Sequence, residues 1–196
     1  MNTSLKLLRF LGPTLLFFGL FVILPPLLMS YFTTGLDLNL LAIFLCSLIY
    51  SLIISLTLRK RKFSYSPRDG FVITFVTWVF ISLVASLPFI NSGFSFSDSL
   101  FEAVSGLTTT GSTSIQNLSE LPNYLLLYRQ LLQWAGGVGL VIVVLAIIPA
   151  VSGGMKVLQA ETSGFADKSF SPRLRETARS LLKFYLLITL VCGLAY

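Results

Sequence analysis

FSFSDSLFEAVSGLTTTGST, residues 94–113, lies between two long apolar segments and is itself polar, small and rich in hydroxyls. A hydrocarbon core tolerates such a backbone only where protein buries it or where it lines a water-filled path. The first half predicts a short helix. Ser97 is placed to cap it, and Asp98 falls in the first turn, where the helix dipole favours an anion. Leu100, Phe101, Val104 and Leu107 form an apolar face. Residues 98–107 in helical form would cover about 15 Å, half of a hydrocarbon core about 30 Å thick. Gly106 loosens the helix end, and Thr108-Thr109-Thr110-Gly111-Ser112-Thr113 favours extended chain. A half-depth helix followed by a Thr/Gly strand is how a re-entrant selectivity filter is built, with carbonyls that replace the hydration shell of a cation. Glycine permits the backbone angles that turn carbonyls inward, and the negative pole of the helix faces the ion. The same composition also suits an ordinary external loop between two membrane helices.

Outward from that stretch the chain reads as membrane protein. Of 196 residues, 55% are hydrophobic and only 11% charged, which excludes an ordinary soluble core. Lys6 and Arg9 precede an apolar run over 10–32, too long for a signal peptide, in which Pro25 and Pro26 are expected to kink or end the helix. A second span is predicted over 40–58 and a third over 70–90, introduced by Pro67 and ended near Pro88. A fourth is predicted over 124–151. Arg59-Lys60-Arg61-Lys62 and Arg68 form a basic anchor between the second and third spans. The segment 152–180 is polar and basic, and a last apolar run over 181–196 is shorter than the roughly 20 residues a span needs. The net charge of +6 sits at the ends of membrane segments, which fits lipid headgroups and not nucleic acid. Thirteen of the fourteen Lys and Arg fall on one side if the N-terminus is cytoplasmic. The filter loop then enters from outside.

The expected architecture is all-α integral membrane protein. It comprises two N-terminal transmembrane helices (1–65), one helix–pore loop–helix unit (66–151), a cytoplasmic linker (152–180) and the start of a second unit (181–196). Ser66-Pro67-Arg68 recurs 105 residues later as Ser171-Pro172-Arg173, each time after a basic stretch and before an apolar run. That spacing is the length of one unit. A single unit supplies a single filter strand, and an ion needs a ring of them.

The residues with candidate roles are few. Carbonyls of Thr109, Thr110, Gly111 and Ser112 are the candidate cation ligands. Asp98 is a helix-dipole partner or a cation attractor. Glu102 on the short helix needs a partner, for which Arg129 is the candidate. Arg129 itself either snorkels outward beside Trp134 or braces the filter electrostatically. Gly136, Gly137 and Gly139 permit close approach of another helix. Cys46 and Cys192 lie in apolar runs, and with no histidine in the chain neither a metal site nor catalytic chemistry is expected.

FEAVSGLTTTGS resembles the first pore-loop signature of the Trk/Ktr/HKT superfamily of potassium transporters, in particular the membrane subunit of bacterial Trk systems. YRQLLQWAGGVGLVIVVLAIIP, residues 128–149, is similar to the segment after that loop, and SPRLRETARSL, residues 171–181, to the entry of the next repeat. The resemblance implies potassium uptake across the cytoplasmic (inner) membrane, with filter strands from four repeats in one polypeptide and this chain as its N-terminal part. It further implies a homodimer and a cytoplasmic nucleotide-binding regulatory subunit that meets 152–180. In that superfamily glycine at the central filter position goes with potassium and serine with sodium, so Gly111 points to potassium. The Thr-Thr-Gly-Ser run is shorter than a potassium channel's Thr-Val-Gly-Tyr-Gly, which implies less strict selection. The competing reading is a non-conducting membrane scaffold or assembly subunit, in which Gly111 would tolerate substitution.

Overall fold

A computed structural model describes residues 3–58, 67–139 and 170–195. The chain divides into two compact units, one of Met1–Ser64 with Phe75–Gly137 and the other of Tyr65–Thr74 with Val138–Tyr196. All regular structure among the described residues is helical. Three segments are long and apolar enough to cross a membrane: Ser4–Thr33, Leu38–Leu58 and Asp69–Asn91.

The first of these is α1 (Thr3–Phe18), a wide π turn (Gly19–Ile23) and α2 (Leu24–Thr33) in succession. Pro25 and Pro26 therefore do not end the span. They lack N–H groups and crowd the carbonyls one turn back. The wide turn just before them absorbs the misfit, and the prolines fill the opening positions of α2, where a missing donor costs nothing. Asp37 then starts α3 (Leu38–Leu58), its carboxylate accepting from the amides of Asn39 and Leu40 at 2.9 and 3.1 Å. Small residues bring α1 and α3 together. The Ser51 hydroxyl donates to the Gly12 carbonyl at 2.7 Å, and Gly19 faces Ser47 with no room for a side chain.

Helix α4 (Pro67–Asn91) begins at the predicted proline but runs through Pro88 for three further residues. Gly93, at φ +95°, reverses the chain after it. A short helix, α5 (Phe96–Leu107), follows. A turn at Thr108–Thr109, an irregular segment over 110–117 in place of the expected extended chain, and a single 3-10 turn (Leu118–Glu120) lead to α6, helical over 123–139 within the described residues. The rest of the predicted fourth span, and most of the 152–180 linker, lie outside the described residues. In the second unit α7 (Phe170–Ala195) starts eleven residues before the apolar run at Leu181, so polar and apolar turns share one helix. In both Ser-Pro-Arg copies the proline lies at a helix start, Pro67 opening α4 and Pro172 in the first turn of α7.

The core of the first unit is built around the short helix. Ala103 and Leu107 of α5 pack with Phe18, Val22 and Ile23 of the first span, Ala85 and Phe89 of α4, and Leu125, Tyr128 and Leu132 of α6. The Tyr128 hydroxyl, wholly buried, donates to the Ala85 carbonyl at 2.9 Å in the turn that Pro88 loosens. Burial of such an O–H is tolerated because its bond is made.

Candidate functional site

The short helix is positioned first by its own cap. Ser95 is the N-cap residue: its Oγ accepts from the Asp98 amide at 3.1 Å and donates to the Asp98 carboxylate at 2.6 Å. This corrects the expectation that Ser97 caps the helix. Ser95-Phe96-Ser97-Asp98 has the spacing of a reciprocal cap, which starts the helix two residues earlier. Asp98 is engaged in that cap, as a dipole partner would be. At twelve residues α5 is about 18 Å long, roughly half the apolar thickness of a bilayer.

Its C-terminal end meets α6 closely, through a glycine on each helix. A Cβ on Gly106 would stand 2.9 Å from Leu132 Cβ, and one on Gly136 would strike the carbonyl oxygen of Leu107 and lie 2.8 Å from its carbon. Each helix thus presents a glycine to the other's leucine. The close approach expected of Gly136 is to the last residue of α5. Gly106, expected to loosen the helix end, is itself helical and buried, and its role is packing.

The strand leaves α5 through left-handed backbone. Thr109 has φ +59° and Gly111 φ +74°. That conformation is open to glycine and strained for a β-branched residue such as threonine, and strained residues persist only where surrounding bonds over-determine them. Those bonds are present. The amides of Thr108 and Thr109 bond to the carbonyls of Val104 and Gly106, and the amides of Thr110 and Gly111 both bond to the Ser105 carbonyl at 3.0 and 3.3 Å. The hydroxyls of Thr108 and Thr110 are 2.9 Å apart. The Ser112 carbonyl accepts from the Ser105 hydroxyl at 2.6 Å. Among the described residues, the carbonyl oxygens of Thr109, Thr110 and Gly111 accept no hydrogen bond, and residues 108–114 are exposed.

A buried carboxylate holds the far end of the strand. Glu102 is 2% exposed. One of its oxygens accepts from the Thr113 hydroxyl at 2.6 Å and the Ser114 amide at 2.9 Å; the other accepts from Arg129 Nε at 2.8 Å. Arg129 is 7% exposed, so the outward snorkel is corrected: its guanidinium points into the protein. The reason is that α5 brings an otherwise unpaired carboxylate to the same depth, and two buried charges offset each other's desolvation only in contact. Trp134 instead stacks on Phe17, with ring centroids 6.4 Å apart. The structure therefore joins Glu102 and Arg129 to each other and Glu102 to the strand, and separates the Ser112 carbonyl from the three free ones before it.

Ser105, Thr113 and Ser114 carry bonds that sequence reading did not single out. A signal existed for Ser105. It lies three residues after Glu102 on a helix, and that spacing puts both polar side chains on one face.

Known proteins share this arrangement of elements. The family model described as "TrkH: Cation transport protein" matches residues 38–196. The chain is 35% identical over 196 residues to the Trk system potassium uptake protein TrkH of Vibrio parahaemolyticus, covering 97% of this chain and 40% of that protein. It is 42% identical over 142 residues to the TrkH protein of Escherichia coli K12, covering 70% of this chain and 29% of that one. The crystal structure of the potassium transporter TrkH from Vibrio parahaemolyticus matches with a TM-score of 0.76 at 32% identity, over 100% of this chain and 39% of that one. The chain thus spans about 40% of the length of its V. parahaemolyticus relative. With a family match over most of its residues, a relative aligned along nearly its whole length and a shared helical fold, the chain belongs to the TrkH family of cation transport proteins.

Proposed function

We propose that this chain supplies the first filter strand of a potassium uptake pathway, with residues 109–112 as the strand and α5 as its pore helix. The observation that carries the reading is the run of three consecutive carbonyls, Thr109 to Gly111, that accept no hydrogen bond among the described residues, at the C-terminal end of a half-length helix. Unpaired carbonyls are costly in an apolar setting and useful only where a cation or water takes the place of the donor. The relatives' names give potassium as the ion. The ion loses water at the outer mouth, is held by carbonyls of this strand and of its counterparts in the other repeats, and moves inward down its electrochemical gradient. The membrane potential contributes about 2.3 kcal/mol per charge per 100 mV. The strand's exposed side faces the other repeats across the ion path. Glu102 and Arg129 support the strand from behind. The protein acts as a transporter and not as an enzyme, in the inner membrane, as a homodimer with a cytoplasmic nucleotide-binding regulatory subunit.

Gly111→Ser tests the filter. The added Cβ opposes φ +74° wherever it points, although the nearest atom it would meet, Gln133 Nε2, is a comfortable 3.7 Å away. The fold is expected to survive and the potassium-to-sodium uptake ratio to fall about tenfold, equivalent to about 1.4 kcal/mol. Gly93→Ser is the control: at φ +95° it carries the same backbone strain outside residues 109–112, and its Cβ would meet nothing within 4 Å. An unchanged ratio in Gly111→Ser at matched expression would favour the scaffold reading.

The orientation has its own test. With the N-terminus cytoplasmic, thirteen of fourteen Lys and Arg lie inside, Arg129 being the exception. Cysteines introduced at Lys62 and Asn117 are expected to label from opposite sides, Asn117 from outside. Labelling of both from one side would overturn the orientation.

A further inference from the structure

We propose that Ser105 is the positioning residue that decides which carbonyls of the strand reach the ion, presenting those of Thr109 and Thr110 and withholding that of Ser112. The proposal rests on the filter reading above and deepens it. A trans peptide points its C=O opposite to its N–H, and all peptides among the described residues are trans. The amides of Thr110 and Gly111 are both pinned to the Ser105 carbonyl. The carbonyls of Thr109 and Thr110, in the same two peptide planes, are therefore turned away from α5. At Ser112 the sense is reversed, because its carbonyl accepts from Ser105 Oγ and so points at α5. The reversal falls between the peptide that joins Thr110 to Gly111 and the one that joins Ser112 to Thr113, a stretch that includes Gly111 at φ +74°. One residue thus holds both senses of the strand, the outward pair through its backbone oxygen and the inward carbonyl through its hydroxyl.

The hydroxyl has an alternative that it does not take. Serine and threonine within a helix ordinarily bond back to a carbonyl three or four residues earlier. Ser82, Ser86 and Thr108 do so here, bonding to Trp78, Leu83 and Val104. Ser105 Oγ reaches forward seven residues instead. Helix formation does not call for that bond, whereas control of a carbonyl's direction does. Cation selectivity depends on the number of coordinating carbonyls and their field. Release of the Ser112 peptide changes that number, so the bond bears on which monovalent cation is preferred.

The test is uptake of potassium, rubidium and sodium by the full-length transporter in proteoliposomes, at matched incorporation, for Ser105→Ala, Ser105→Thr and Gly111→Ser. Ser105→Ala is expected to lower the potassium-to-sodium ratio about fivefold, the factor that one ordinary hydrogen bond carries. Ser105→Thr, which keeps the hydroxyl, is expected to stay within about twofold of the parent ratio. Should Ser105→Ala fail to reach the membrane, Ser105→Cys, which replaces the strong donor with a weak one, is read in its place. A shifted ratio in Gly111→Ser with an unshifted ratio in Ser105→Ala or Ser105→Cys overturns the role of Ser105 and leaves the filter standing. Unshifted ratios in all of them remove the filter reading itself, and this inference with it. Loss of selectivity in Ser105→Thr as large as in Ser105→Ala also overturns the inference, because the hydroxyl would then not be the operative group.

Discussion

Gly136→Ala is expected to be the most damaging single-methyl change in the described part of the chain. The new Cβ would clash with the Leu107 carbonyl oxygen, a backbone group at the junction of α5 and the strand. A flexible side chain could swing aside, but a helix terminus cannot without moving α5 as a whole. Small-to-large changes in packed cores cost about 1–3 kcal/mol, and this one belongs at or beyond the upper end because backbone is what it meets. The expected readout is a steep loss of detergent-stable, correctly inserted protein, with transport falling in parallel. Normal thermal stability of Gly136→Ala would show that α5 and α6 are not in contact at this point. Gly106→Ala is expected to be milder because the overlap is smaller: its Cβ would lie 2.9 Å from Leu132 Cβ, an atom that no rotamer change moves, so α5 and α6 need only separate by a few tenths of an ångström.

Glu102→Gln should have the next largest effect. The substitution keeps shape and retains an acceptor for the Thr113 hydroxyl and the Ser114 amide. It removes the negative charge facing Arg129 Nε, leaving a guanidinium that is 7% exposed without its counter-ion. Breaking a buried pair from one side costs about 3–5 kcal/mol, mostly the desolvation of the abandoned charge. Arg129→Met is expected to hurt comparably, because it strands the carboxylate. The double variant Glu102→Gln with Arg129→Met removes both charges and is expected to recover much of the loss. Thermal unfolding of the four proteins in a double-mutant cycle measures the coupling. Additive losses, with no recovery in the double variant, would show that the two charges do not act as a pair. Recovery of stability without recovery of the potassium-to-sodium ratio would assign the charged pair to holding the strand's shape as well as its fold.

The apolar spans, the half-length helix, the end of that helix after Leu107 and the anionic first turn could all be read from the residues in order. Each is decided by neighbours within a few positions: periodicity, a cap three residues away, a dipole that acts over one turn. Even there the local reading slipped where two serines competed for one role. Ser95 won over Ser97 because Asp98 returns its bond. The prolines of the first span were visible too, but not that a π turn would let the helix run past them.

What lay beyond reach depends on which helices lie side by side. An arginine among the first turns of a membrane helix has an outward route by snorkelling, and nothing near it in the chain argues otherwise. Its partner is 27 residues earlier, and only the packing of α5 against α6 sets the two at one depth. Gly136 looked like a generic small residue until the Leu107 carbonyl was found against it. Ser105 looked like any helical serine, and its bond to Ser112 exists because the strand folds back along its own helix. Chain-local chemistry wrote the elements. The tertiary structure chose the partners, because a buried charge or hydroxyl bonds to whatever close packing brings within about 3 Å, wherever in the chain that group arises.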